Sequence, residues 1–359
     1  KKAQCKVTIV DAPLLKQVGQ TIEGEAGQTA RLELERQEGQ EVDPEKIVWE
    51  SNNETVVSVT KDGLYGNLTM KKQGAAVIKV TYKGKYTQQC YVVVKGEETL
   101  PEGRALVYER SADCTDDTPY INRLLREWEE NPDAYDYMYL PAGVYWIDAT
   151  ENGYDIFGKY KFGGIVLTDN QTLIMSPSAL LMTIGNNKDK YHVIYAFGRK
   201  NITISGGQII GERREHKGSG GEWGHGIQID GCTNVTIKDI DISQCWGDGI
   251  YLGYYGIQKK YSEHITITNC NLHHNRRSNL SITDAGNITI DRCKFNYASG
   301  TDPQYGIDIE PNESRPCEHV VISNSEFKGN AKGSMGIIKQ ANDIRLKNCT
   351  MDGAFYNMA

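Results

Sequence analysis

Six ten-residue segments in the second half of the chain align without gaps: "NITISGGQII" (201–210), "NVTIKDIDIS" (234–243), "HITITNCNLH" (264–273), "NITIDRCKFN" (287–296), "HVVISNSEFK" (319–328) and "DIRLKNCTMD" (343–352). Each carries apolar residues at alternate positions, then a small residue, then another apolar one. Successive segments start 33, 30, 23, 32 and 24 residues apart. A strand motif repeated at more than about 20 residues calls for a solenoid, because one repeat cannot bury its apolar face alone and neighbours must stack to make a core. The unequal spacing then measures loops of different length between strands. Cys270, Cys293 and Cys349 share one column with Ile240 and Ser325, and so read as an inward stack of small buried residues, a free Cys behaving as a small hydrophobe.

A second strand recurs between these segments: "HGIQID" (225–230), "DGIYLG" (248–253), "SNLSIT" (278–283), "YGIDIE" (305–310) and "MGIIK" (335–339). Side chains alternate between faces along a strand. With Ile227, Ile250, Leu280, Ile307 and Ile337 facing in, the outward column reads Gln228, Tyr251, Ser281, Asp308 and Ile338. Asp308 and Glu310 then share the outward face at about 7 Å, two residues apart on one strand. Like charges held that close raise each other's pKa.

The first 98 residues are different. Short candidate strands ("KVTIV", "ARLEL", "KIVWES", "VVSVT", "GLYGNLTM", "AAVIKVTYK", "QQCYVVVK") are separated by turn signals, the pattern of a β-sandwich. Within them "VWESNNETVVSVTKDGLYGNLTMKKQGAAVIKVTYKG" resembles the bacterial immunoglobulin-like group 2 domain, on its strand Trp49, the following Ser-Asn, the Val-Val-Ser-Val strand and the Gly-Ala-Ala strand. Such domains are spacers or adhesion modules of secreted and surface proteins. Trp49 reads as core, and Cys5 and Cys90 as first- and last-strand residues that can pair or stay free. Residues 99–112 read as a linker and entry segment. In "DCTDDTPYINRLLREWEEN", Asp116 or Asp117 can cap a helix with Pro119 in its first turn, and Ile121, Leu124, Leu125 and Trp128 fall on one helical face.

The Asp-Asp-Thr helix start, "YLPAGVYWI" and the repeated coils resemble the right-handed parallel β-helix proteins of the pectin-lyase-like superfamily. The expected architecture is all-β: an immunoglobulin-like sandwich over 1–98, then a β-helix over 113–359 with a capping helix at its N-terminal end. The resemblance implies that the outward strand face floors a substrate groove. Around it gather Glu222, Trp223, His225, Asp230, Trp246, Tyr254, Tyr255, Arg276, Arg277, Tyr305 and Lys339, a mixture suited to sugars, since rings stack on sugar faces and charged groups bind hydroxyls or acids. Asp308, Glu310, Asp248 and Asp284 are the candidate catalytic acids. In polygalacturonases a Gly-Asp-Asp strand lies where "GDGIYLG" lies here, which assigns a role to Asp248. Their Gly-His-Gly strand has no counterpart histidine in "RRSNLSITD", and their Arg-Ile-Lys strand is replaced by "YGIDIEP". A different, neutral sugar is expected.

The function expected is a glycoside hydrolase acting on a polysaccharide, with a lyase or epimerase, or a non-catalytic glycan-binding protein, as alternatives. No cofactor is expected. Asp230, Asp248 and Asp284 can offer oxygens to Ca²⁺, but their spacing is not a calcium loop. The nine cysteines include no C-x-x-C pair that would suggest zinc. The net charge of −7, carried wholly by residues 99–359 (26 basic, 33 acidic), offers no basic patch for nucleic acid. No apolar run is long enough to span a membrane. A secreted or cell-surface bacterial location fits these features. Tyr254 and Tyr255, in the loop after "DGIYLG", are expected to wall the groove and stack on sugar rings.

Overall fold

A computed structural model describes residues 12–150, 163–311, 316–338 and 340–358, with side chains left out at 357 and 358. The candidate strand "KVTIV", Cys5 and Lys339 lie outside the described residues. The chain divides into two compact units, Lys1–Thr99 and Leu100–Ala359.

The first unit holds two four-stranded sheets. One joins Leu14–Leu15, Thr29–Glu35, Tyr65–Met70 and Val57–Asp62, and the other joins Thr21–Glu25, Tyr86–Lys95, Gly74–Tyr82 and Ile47–Ser51. Their buried side chains, among them Leu32, Val57, Leu68, Ile78, Cys90 and Val92, form one core. Trp49 belongs to it. Its ring lies so close over Gly66 that a β-carbon there would come within 2.8 Å, so only glycine fits beneath the indole.

The second unit is a solenoid of three parallel sheets. After the opening strand, each coil contributes one strand to each sheet, and neighbouring strands in a sheet come from successive coils. The first sheet has nine strands, from Ala105–Val107 and Tyr137–Leu140 to Ala341–Lys347. Its opening strand sits in the stretch expected to be linker. Three residues carry no period that could mark them as a strand. The second and third sheets have eight strands each.

The six repeats supply consecutive strands of the first sheet, and their apolar columns stack in register: Ile202, Val235, Ile265, Ile288, Val320 and Ile344. The polar residue opening each repeat also has a reason. Asn201, Asn234, His264, Asn287, His319 and Asp343 all have φ between 53° and 57°. Asn, Asp and His tolerate this left-handed region better than most residues. Asn201 donates to Asn170 at 2.8 Å and Asn234 to Asn201 at 3.1 Å, so the turns are tied coil to coil.

The cysteine column stacks. The Cys270 amide donates to Cys293 Sγ at 3.5 Å and the Cys293 amide to Ser325 Oγ at 3.1 Å. Cys349, in the last coil, is only partly buried. In the second sheet Phe295 and Phe327 stack with ring centroids 5.1 Å apart, both fully buried. Phe295→Leu keeps most of the volume and should cost about 1 kcal/mol, read as a lower midpoint in urea unfolding with an unchanged slope.

The helix runs Thr118–Glu130 and buries Ile121, Leu125 and Trp128 in the solenoid core. Asp116 Oδ1 accepts the Thr118 amide at 3.0 Å. Asp117, wholly buried, instead takes the Tyr108 hydroxyl at 2.8 Å, Arg110 Nε at 3.1 Å and the Trp146 amide at 2.7 Å, and so ties the helix start to the first coils.

Candidate active site on the third sheet

The third sheet is built from Ile165–Val166, Lys190–Phe197, Trp223–Asp230, Ile250–Gly253, Leu280–Ile282, Tyr305–Ile309, Gly333–Ile338 and Phe355–Met358. Ile194, Ile227, Ile250, Leu280, Ile307 and Met335 form its inward column. The outward column reads Tyr195, Gln228, Tyr251, Ser281, Asp308 and Gly336. Ile338 therefore does not follow Asp308, and Ile337 pairs with Ile309 rather than Ile307. The strand Gly333–Ile338 starts two residues before its apolar run, so alignment on that run slips by two.

Asp308 is 2% exposed, and its Oδ1 has no hydrogen-bond partner. Burial first, then the charges of Glu310 and Asp248, push its carboxyl up to about 7, against the pull of Arg277. Glu310 is partly exposed just past the strand end, its amide bonded to the Ile282 carbonyl at 3.0 Å. A buried carboxyl and a partly exposed one thus lie two residues apart, close enough for the charge of Glu310 to act on Asp308. Tyr305 lies beside them, its ring over Gly336, where a β-carbon would come within 2.4 Å.

Asp248 is wholly buried in the turn before its strand. Its Oδ1 accepts the Ser278 amide at 2.8 Å, and its Oδ2 accepts Arg277 Nη1 at 3.1 Å. Its amide donates to His225 Nδ1 at 3.0 Å. Burial raises its carboxyl, and Arg277 and the Ser278 amide hold it back. Arg277 also reaches Glu222 Oε2 at 3.4 Å, so Glu222, Arg277 and Asp248 form a chain leading to Asp308.

Asp284 lies one coil from Glu310, whose amide bonds the Ile282 carbonyl at 3.0 Å. Its φ of 50° breaks strand alternation, and its charge acts on Asp230 and Tyr251. Asp230 accepts Gln228 Nε2 at 2.6 Å, while its Oδ1 has no partner. Burial is the main cause that takes the Asp230 carboxyl to about 7, and Asp284 adds to it. Asp230 and Asp284 thus form a second acidic centre. Asp248 is engaged elsewhere, and among the described residues no three His, Cys, Asp or Glu converge as a metal site.

Several expected sugar contacts are packing residues. His225 is 1% exposed and stacked between His192 (6.0 Å) and Tyr251 (4.9 Å). Burial first, then Arg277 and Lys190, holds its imidazole well below its ordinary pKa, so it is neutral. Thr283 Oγ1 donates to the Tyr251 hydroxyl at 2.9 Å. Trp246 is sandwiched between the His216 ring (3.8 Å) and the Arg276 guanidinium (3.7 Å), with its Nε1 donating to the Gly220 carbonyl at 2.9 Å.

Tyr255 stacks on Phe197 at 6.1 Å and shares an apolar cluster with Val166 and Tyr195, while Tyr254 leans on Tyr261 at 4.9 Å. The expected tyrosine wall is therefore a packed loop at Tyr255, because ring burial against Phe197 and Tyr195 outweighs exposure. Tyr255→Ala should cost about 3 kcal/mol of stability and leave oligosaccharide affinity unchanged. A weakened affinity at constant melting temperature would return Tyr255 to the groove wall. Trp223, by contrast, is 48% exposed at the start of its strand and is open to stacking.

Sequence reading missed one cluster. Glu212, wholly buried, accepts from the Tyr191 hydroxyl and sits 2.9 Å from His216 Nδ1. The only sequence signal was an acid and a histidine four residues apart in "GERREHKGSGGEW". It anchors the loop that carries Arg213, Arg214 and Glu222.

The family profile described as the right handed beta helix region matches residues 163–351, more than half of the chain. The chain belongs to the right-handed β-helix family. It is 38% identical over 239 residues to "Uncharacterized protein YclG" of Bacillus subtilis (strain 168), covering 62% of this chain and 40% of that protein. It thus spans less than half the length of that curated relative. Among solved structures it resembles the catalytic domain of a GH87 alpha-1,3-glucanase in complex with nigerose (TM-score 0.52, 12% identity, 81% of this chain and 48% of that one). It also resembles the tailspike gp49 of Acinetobacter baumannii bacteriophage Fri1, a capsular polysaccharide depolymerase (TM-score 0.50, 13% identity, 91% and 62%). At these identities the likeness is one of fold.

Proposed function

We propose that this chain is a secreted or cell-surface glycoside hydrolase acting on a polysaccharide along the outward face of the third sheet. The reading is carried by Asp308, a buried carboxyl with a partnerless oxygen raised to about 7, two residues from the partly exposed Glu310. A carboxyl protonated near neutral pH can hand its proton to the glycosidic oxygen. Glu310, open to solvent, can take a proton from the attacking water. Two residues along a strand, about 7 Å, lies within the spacing that leaves room for that water in an inverting hydrolysis. Asp248 acts through Arg277, whose charge faces Asp308. The glycan-acting neighbours support this reading by fold alone. The first unit serves as an immunoglobulin-like spacer on the same reading.

Trp223 provides an aromatic platform at the groove edge. Trp223→Ala should weaken oligosaccharide binding about fivefold, by analogy with the 0.5–1.5 kcal/mol of an aromatic pair. The melting temperature should not move, because the ring is half exposed. Titration calorimetry with fragments of a cleaved polymer checks this, and equal affinity in the variant would remove Trp223 from the groove. A non-catalytic binder would bind these fragments and yield no product on long incubation.

A further inference from the structure

Beside the proposed groove lies a cluster of three arginines, Arg213, Arg214 and Arg276; the Glu222 carboxylate acts on Arg276 but forms its ion pair with Arg277. Among the described residues Arg213 Nη1 donates to the His274 carbonyl at 2.8 Å, and Arg276 Nη1 to the Gly221 and Trp246 carbonyls at 2.8 and 3.2 Å. Among the described residues neither has a carboxylate within ion-pair distance, nor has Arg214, which is exposed. Glu222 and Asp248 are both taken by Arg277. Arg213 and Arg276 meet over Gly300, where a β-carbon would lie 2.9 Å from Arg213 Nη2 and 3.0 Å from Arg276 Cγ. Burial first, then Arg214 and Arg276, holds the Arg213 guanidinium below its ordinary range. His274 is pushed down to about 4 by burial, then by His273, Arg213 and Arg214, so it adds no charge at neutral pH.

The cluster is rigidly built. Arg276 is stacked on Trp246, whose other face is covered by His216, itself held by Glu212. Next to it Tyr297, 38% exposed, leans on the His274 ring at 4.9 Å. Guanidinium groups bind oxyanions through paired N–H donors, and an exposed ring beside them suits a sugar face. In a chain with a net charge of −7, such a patch is a local positive field that attracts an anion.

We infer that Arg213, Arg214 and Arg276 bind the acidic substituent of an anionic glycan, a carboxylate or a sulfate ester, with Tyr297 under the sugar ring. The inference rests on the glycan reading above and replaces the neutral sugar expected from the missing Arg-Ile-Lys strand.

The test is binding of the full chain to four probes: oligogalacturonate, its fully methyl-esterified neutral form, a chondroitin sulfate oligosaccharide and a single-stranded DNA oligonucleotide. At least one acidic oligosaccharide should bind about tenfold tighter than the neutral one, and which of the two does so separates carboxylate from sulfate. The preference should shrink with salt. It should vanish in Arg213→Gln/Arg214→Gln at an unchanged melting temperature, and persist in Arg213→Lys/Arg214→Lys, which keeps the charge should the glutamine variant fold poorly. Equal binding of the neutral form, tighter binding of DNA, or a preference that survives the glutamine variant would overturn the inference. Arginine-dependent binding of an acidic glycan that is never cleaved would uphold this site and overturn the hydrolase reading. Asp308-dependent cleavage of a neutral glycan with no arginine dependence would do the reverse.

Discussion

Asp308→Asn should abolish glycan cleavage, lowering kcat about a thousandfold, the usual scale for a lost general acid, and at the same time make the protein more stable at neutral pH. The second effect follows from linkage. The folded carboxyl titrates at about 7, against 3.8 for an ordinary aspartate. Below 3.8 both folded and unfolded states hold the proton, and Asp308 costs nothing. Between 3.8 and about 7 the unfolded carboxyl ionises first, so stability falls as pH rises, and above about 7 the loss is complete. The full cost is on the order of 2–4 kcal/mol. Asparagine keeps the shape and removes the titration. Urea unfolding at acidic and at mildly alkaline pH should show the variant gaining only on the alkaline side. Asp230, which titrates at about 7 as well, leaves the variant a residual slope. A variant that loses stability at every pH would mean that Asp308 is a structural residue.

Arg277→Leu should cost about 3–5 kcal/mol, because it strands the wholly buried Asp248 carboxylate without its cation. Most of that cost is the unpaired charge and not the lost contact, since a buried ion pair is worth little against a neutral pair of the same shape. Asp248→Asn/Arg277→Leu should therefore recover most of the stability, with a coupling energy of about 2 kcal/mol in a double-mutant cycle. Losses that simply add would mean the two groups do not act as a pair. The double variant removes both the upward push of Asp248 on the Asp308 carboxyl and the smaller downward pull of Arg277, so the alkaline limb of any residual pH–rate profile should move to lower pH.

The solenoid was legible because its information is one-dimensional. Each repeat needs the same apolar columns and the same left-handed turn, so Asn201, Asn234 and Asn287 recur where the backbone turns. The Asp308–Glu310 pair was legible for a similar reason, since two acids on one strand face need only the period of two. The rest of the site depends on contacts between coils. Nothing local marks His225 as a neutral ring under Tyr251, or Trp246 as the filling between His216 and Arg276. Tyr255 and Trp223 look alike in sequence, as aromatics at strand ends, yet one is 6% and the other 48% exposed. The arginine cluster joins residues about sixty positions apart, Arg213 and Arg276, through the stacking of coils two repeats away.

The most direct measurement is the product of a polysaccharide panel, acidic and neutral, incubated with the wild-type protein, Asp308→Asn and Glu310→Gln. The expected result is oligosaccharides that have gained one water for each bond broken, from the wild type alone, with both variants folded and inactive. Unsaturated sugar ends, or the same hydrolysis products from Asp308→Asn, would contradict the paired-carboxylate hydrolase.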